Sequence, residues 1–265
     1  MTEVLIAVCI VAGIGLIAGI ILSAASVALS VPVDPKQELI RDCLPGANCG
    51  ACGYSGCDGY ASALARGIAE QGLCTPGGNE TAQKIAEILG TDAASVRQVT
   101  AAVKCNGSCE HTDSIFVYQG AKTCATANQL FSGGGKCSFS CIGLGDCAAV
   151  CTEDAINISD GIASVDRIKC KGCGKCVTAC PKGIIELVGI NSAFVSCSSK
   201  DKGAITRKNC TAGCIGCMMC VKACEFGAVS VENNLAHINS SICTGCGKCV
   251  EACKMNCISI LVPCS

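Results

Sequence analysis

The 265-residue chain has no tryptophan, three tyrosines, five phenylalanines and two histidines. Domains this poor in large apolar side chains cannot rest on an ordinary core; small ones of that kind are held by disulfides or metals. With His111 and His237 as its only imidazoles, the chain shows no nucleophile–histidine–acid set. Neither a G-x-G-x-x-G after a strand nor a phosphate loop is present, so nicotinamide and flavin sites are expected on partners. The net charge is −1 and no basic run occurs, which excludes nucleic acid as a partner. Charge is missing altogether from Val4 to Val33, 30 residues against the roughly 20 that cross a bilayer. A signal peptide would begin with positive charge, and here the early charged residue is Glu3. The stretch therefore reads as one membrane-spanning helix. No Lys or Arg precedes it, and Lys36 and Arg41 follow, which places the soluble part on the cytoplasmic side of the cell membrane. Gly15 and Gly19 offer a small face for another helix, and the span has no ionisable side chain to carry an ion.

What the chain has in excess is cysteine: 29 residues, about 11% of the total. Clustered C-x2-C-x2-C runs favour iron–sulfur sites, because zinc usually takes separated pairs and disulfide frameworks use scattered cysteines. Such clusters need a reducing compartment, again the cytoplasm. Cys170, Cys173, Cys176 and Cys180, followed by Pro181, form the C-x2-C-x2-C-x3-C-P run of bacterial ferredoxins. Cys214, Cys217, Cys220 and Cys224 repeat it, as do Cys243, Cys246, Cys249 and Cys253. Cys137, Cys141, Cys147 and Cys151 form an irregular fourth run, whose extra residues are expected to loop out.

The separation of 19 positions from Cys151 to Cys170 recurs from Cys224 to Cys243. Residues 155–165 and 228–238 both read as strand, turn, strand. These matches predict a duplicated ferredoxin-like module. In such modules the fourth cysteine of each run serves the other cluster. That expectation pairs Cys137, Cys141 and Cys147 with Cys180, and Cys170, Cys173 and Cys176 with Cys151. It likewise pairs Cys214, Cys217 and Cys220 with Cys253, and Cys243, Cys246 and Cys249 with Cys224.

Nearer the N-terminus, Cys49, Cys52, Cys57 and Cys74 make a closed site for one [4Fe–4S] cluster, with structural zinc as the alternative. Helices are expected from Pro35 to Asp42, over 58–70, over 79–90 with Asn79 as its cap, and over 92–103. The total is five [4Fe–4S] clusters. A sixth could use Cys105, Cys109 and Cys124 with a fourth ligand such as Cys197 or Cys210; otherwise these are small buried residues. Cys9 reads as an apolar filler, His111 as a surface residue, and Cys43, Cys257 and Cys264 are left over. The fold class is α+β: a transmembrane anchor (1–33), a small helical four-cysteine domain (34–92), a connecting segment (93–136) and ferredoxin-like modules at 137–195 and 205–265. Ser132–Gly135 and Ser196–Asn209 read as flexible, solvated joints.

A membrane anchor, then Cys49-Gly-Ala-Cys52-Gly-Tyr-Ser-Gly-Cys57 with Tyr60, Ala61 and Cys74-Thr-Pro-Gly-Gly78, then two ferredoxin modules, resembles the longer form of the B subunit of the Rnf family. The four-cysteine domain alone also resembles one in corrinoid iron–sulfur proteins. The resemblance implies a membrane complex that oxidises soluble ferredoxin, passes electrons towards NAD or another acceptor, and exports Na⁺ or H⁺. Other membrane and peripheral subunits would be partners, and this chain an electron wire without a substrate site of its own. The alternatives are a polyferredoxin subunit of another membrane oxidoreductase, such as a hydrogenase, and a non-redox zinc scaffold.

Overall fold

In the computed structural model, which describes residues 2–28, 34–130 and 132–261, the uncharged N-terminal sequence forms helix α1 (Thr2–Ala28). Within α1, side chains are described for Ile6 and residues 12–25, and the large apolar ones among them, Ile14 to Leu22, are exposed. Among the described residues no helix is long and apolar enough to cross a membrane. Residues 29–33 of the expected span, the side chain of Cys9, and Cys264 lie outside the described residues.

Helices α2 (Pro35–Cys43), α3 (Cys57–Ala65) and α4 (Gly78–Leu89) build the first soluble domain. Proline opens α2, where its missing N–H costs nothing, and the Asp34 carboxylate accepts the Lys36 amide at 2.9 Å. Helix α3 stops five residues short of the expected end. The chain turns at Gly67 (φ +70°), and the Tyr60 hydroxyl donates to the Glu70 carbonyl at 3.0 Å. Gly77 rather than Asn79 caps α4; the Asn79 side chain instead accepts the Val96 amide at 2.9 Å. Ile40, Tyr60, Leu64 and Ile85 form a genuine, if small, apolar core beside Cys57.

The helix expected over 92–103 is not formed. Val99–Val103 is strand β1, drawn out by pairing that local sequence does not reveal. Then follow α5 (Cys124–Asn128), α6 (Asp146–Ala149), β2 (Ile156–Ser159), β3 (Ile162–Val165), α7 (Lys175–Ala179) and β4 (Ile185–Gly189). The last part comprises β5 (Ala193–Val195), α8 (Gly203–Asn209), α9 (Met219–Ala223), β6 (Val229–Glu232), β7 (Leu235–Ile238), α10 (Lys248–Glu251) and β8 (Ile258–Ile260).

The two hairpins expected from alternating apolar residues are present: β2 pairs β3 with Ile156 opposite Val165, and β6 pairs β7 with Val229 opposite Ile238. Each module is closed by a second antiparallel pair. β1 joins β4, with Val99 opposite Gly189, and β5 joins β8, with Ala193 opposite Ile260. Strand pairing thus draws 99–103 into the first module and 193–195 into the second. The Ser196–Asn209 segment is solvated on one side only: Lys200, Lys202, Arg207 and Lys208 are exposed, whereas Ser196, Cys197, Ser199 and Thr206 are buried and the Ser199 and Thr206 hydroxyls bond each other at 3.2 Å. The glycines before Cys137 are packed too: Gly135 bridges to Ser114, and the Gly134 carbonyl accepts the Ile115 amide at 2.7 Å.

Candidate functional site

Every cysteine run of the modules turns tightly before a short helix, and backbone from another segment presses against the turn, from the hairpins in two of the four cases. A Cβ on Gly143 (φ +77°) would meet the Gly161 carbonyl oxygen at 2.5 Å, and one on Gly216 (φ +65°) the Asn234 carbonyl oxygen at 2.8 Å. Only glycine fits there. The turns send Cys147, Cys176, Cys220 and Cys249 inward, each 7% exposed. Strand amides are aimed at the thiols. Ala101 N–H donates to Cys170 Sγ at 3.4 Å, and Ala193 N–H donates to Cys243 Sγ at 3.5 Å, so β1 and β5 play the same part in the two modules. Such donors favour thiolate over thiol and tune a bound cluster.

The cysteines gather in fours. In the first domain, burial pushes the Cys74 thiol up, and the neighbouring Cys57, Cys49 and Cys52 add to it. Burial, then Cys170 and Cys173 and, more weakly, Cys151, raise Cys176 to about 11. Burial, then Cys214, Cys253 and Cys217, raise Cys220 to about 11. Cys249 is raised by burial and by Cys243, Cys224 and Cys246, and these four line one small cavity. A fourth thiol from the opposite run therefore lies beside each of these three module triplets: Cys151, Cys253 and Cys224.

The irregular run behaves differently from the expectation. Burial first, then Cys141, Cys124 and Cys180, push Cys147 to about 12. The same four cysteines line a small cavity walled by Val103, Ile158, Ile184 and Ile185. Cys137, grouped with Cys141, Cys147 and Cys180 from the sequence, is not there; Cys124 is. Asp146 fixes it, its two carboxylate oxygens accepting the Cys124 and Ala125 amides at 2.8 and 3.0 Å and holding α5 against α6. A signal for this exists in the sequence. Cys141, Cys147 and Cys151 each recur 73 positions later, as Cys214, Cys220 and Cys224, and Leu144 stands where the second module has Cys217. The run is thus regular with one ligand missing, and nothing loops out.

Cys105, Cys109 and Cys124 do not converge. Cys109 is exposed, its sulfur 3.0 Å from where a Cβ on Gly161 would sit. Cys105 and Cys137 line a separate cavity with Cys197 and Cys210. His111 is held between segments, its Nδ1 2.8 Å from Thr211 Oγ1. Cys257 is buried with its sulfur 3.5 Å from that of Cys253. Its thiol hydrogen bond outweighs burial and draws Cys214 down to about 6, and Cys257 is raised in turn. No described cysteine is in a disulfide. Among the described residues no three His, Cys, Asp or Glu close to the spacing of a single metal ion. The donor set fits iron–sulfur chemistry: thiols gathered in fours around at least one buried cysteine each, apolar walls, and amides aimed at sulfur.

Three family models match: one for an "Fe-S cluster" over residues 44–76, and two for a 4Fe-4S dicluster domain over 140–184 and 213–258. The chain is 45% identical to the B subunit of the Na(+)-translocating ferredoxin:NAD(+) oxidoreductase complex of Acetobacterium woodii, over 90% of this chain and 72% of that protein. It is 35% identical to the B subunit of the ion-translocating oxidoreductase complex of Methanosarcina acetivorans, over 90% and 92%. It is 36% identical to the B subunit of the proton-translocating ferredoxin:NAD(+) oxidoreductase complex of Clostridium ljungdahlii, over 91% and 86%. With a four-cysteine domain and two dicluster modules in the same order along nearly its whole length, this chain belongs to the B-subunit family of ion-translocating ferredoxin:NAD(+) oxidoreductase complexes, the Rnf family.

Proposed function

We propose that this chain is the electron-carrying B subunit of such a complex, taking electrons from reduced ferredoxin and relaying them to partner subunits, with Na⁺ or H⁺ translocation elsewhere in the assembly. The observation that carries the reading is the gathering of cysteines, in fours, at buried points along one continuous chain. Cys49, Cys52, Cys57 and Cys74 would hold one [4Fe–4S] cluster. Cys151, Cys170, Cys173 and Cys176 would hold a second, and Cys214, Cys217, Cys220 and Cys253 a third. Cys224, Cys243, Cys246 and Cys249 would hold a fourth, and Cys141, Cys147 and Cys180, completed by Cys124, a fifth. When bound, each cluster supplies one-electron chemistry without proton transfer. The protein's part is to fix the thiols, exclude water with residues such as Ile184 and Ile185, and aim amides at sulfur.

The anchor belongs to this proposal and rests on sequence: residues 4–33 carry no charge and Lys36 and Arg41 follow, so this stretch would cross the cytoplasmic membrane once, with the cysteine domains on the cytoplasmic side. Ferredoxin-dependent NAD reduction in membrane vesicles, with and without this subunit, tests the function. Activity is expected to vanish without it and to respond to Na⁺ or to an uncoupler; activity that survives its loss overturns the reading.

A further inference from the structure

The small cavity lined by Cys105, Cys137, Cys197 and Cys210 lies where the two modules meet, and all four cysteines fall outside the segments that family models match. Cys137, Cys197 and Cys210 are buried and Cys105 is half-buried. A Cβ on Gly107 would stand 3.5 Å from Cys210 Sγ and 3.6 Å from Cys105 Sγ, so thiols about a hundred positions apart flank one point. Cys137 and Cys197 complete the lining of the same cavity.

The four positions are two equivalent pairs. Cys105 follows β1 by two residues and Cys197 follows β5 by two. Cys137 precedes Cys141 by four residues, and Cys210 precedes Cys214 by four. Each module therefore offers the same pair of cysteines to the same junction. The segments that carry them are tied together. The Thr112 hydroxyl donates to the Asn209 carbonyl at 2.8 Å, Thr211 N–H to the His111 carbonyl at 2.9 Å, and the Ser198 hydroxyl to the Lys104 carbonyl at 2.8 Å. Amides also reach the sulfurs, as they do at the module sites. Ser199 N–H donates to Cys197 Sγ at 3.5 Å, and Cys141 N–H donates to Cys105 Sγ at 3.4 Å.

We propose that Cys105, Cys137, Cys197 and Cys210 hold a sixth [4Fe–4S] cluster, shared by the two modules and carrying electrons between them; this rests on the electron-transfer reading above. Its ligands touch those of both neighbours. The amide on Cys105 belongs to Cys141 of the first module, and the thiol of Cys197 accepts the amide of Cys214 of the second. Electrons cross as single-electron exchanges in which one neighbouring cluster is oxidised as the next is reduced, with no bond made or broken. The modules are therefore joined by a rigid conducting junction, not by a swinging linker.

Iron and acid-labile sulfide, counted on the anaerobically reconstituted full-length chain, test this. About 24 of each per chain is expected, against about 20 for five clusters. Cys197→Ser and Cys210→Ser are each expected to lose about four irons, while Cys109→Ser loses none. A wild-type count of about 20 overturns the sixth cluster while leaving the electron-transfer reading intact, and it needs no variant to fold. Zinc at this quartet in place of iron overturns it as well. A chain that binds no iron at all overturns the function proposed above.

Discussion

Residues 137–188 and 210–261 align without a gap, and the two stretches form the same hairpin, the same short helices and the same closing strand pair. Among the many positions at which they differ, two bear on the cysteine sites and one on the surface. Leu144 faces Cys217 in the alignment, Ile184 faces Cys257, and Thr152 faces Glu225. The segments that lead into them also differ: Cys105 and Cys137 are 32 positions apart, Cys197 and Cys210 only 13. The longer segment brings Cys124 to the place where the first module lacks a ligand. The number of thiols around each site is thus kept in space although it is not kept in the repeat. An inserted surface segment costs little closure entropy, since that cost grows only with the logarithm of its length. It can therefore supply a ligand that the repeat has lost.

The largest test of this comparison exchanges the ligands. Cys124→Ser is expected to remove about four irons per chain, and Cys217→Ser the same number from the second module. Adding Leu144→Cys to Cys124→Ser restores the ligand pattern of the second module and should restore the iron; failure to do so would break the equivalence. Next in size are the turn glycines. Gly143→Ala and Gly216→Ala are expected to destabilise their modules alike, by about 3 kcal/mol, because each combines a left-handed φ with a clash against hairpin backbone. Thermal unfolding of the two holo variants side by side checks this, and unequal losses would show that the hairpins dock differently.

Smaller effects sharpen the remaining differences. Cys257→Ala should leave the iron count unchanged and cost about 1 kcal/mol, since Cys257 packs beside Cys253 without completing a quartet. Loss of four irons would make it a ligand. Smallest is the surface pair Lys248–Glu225, which the first module cannot form because Thr152 stands opposite Lys175. Glu225→Gln should leave thermal stability nearly unchanged, and any difference should fade in high salt.

Much of this was legible from cysteine spacing, because a C-x2-C-x2-C turn constrains its own backbone. The triplets of the runs that begin at Cys170, Cys214 and Cys243 need only local geometry, and the hairpins announce themselves by alternation. Cys124 was not legible in that way. Its partners lie on another segment, and only the Asp146 carboxylate holding the start of α5 brings it in. Residues 92–103 carry no strand signal strong enough to outweigh a helical reading, and β1 exists because β4 offers it a ladder. The polar Ser196–Asn209 segment reads as solvent-facing until its hydroxyls are seen bonded to one another.

Composition and short spacing were enough to set the chemistry: many thiols, few aromatics, no charge near the N-terminus, and a duplicated run whose turns demand glycine. Properties of that kind fix local backbone and ligand type. Which thiols meet was settled by contacts between distant segments. Cys137 leaves its neighbours for the junction, and Cys124 replaces it, because strand pairing and buried hydrogen bonds set the positions of side chains that spacing leaves free.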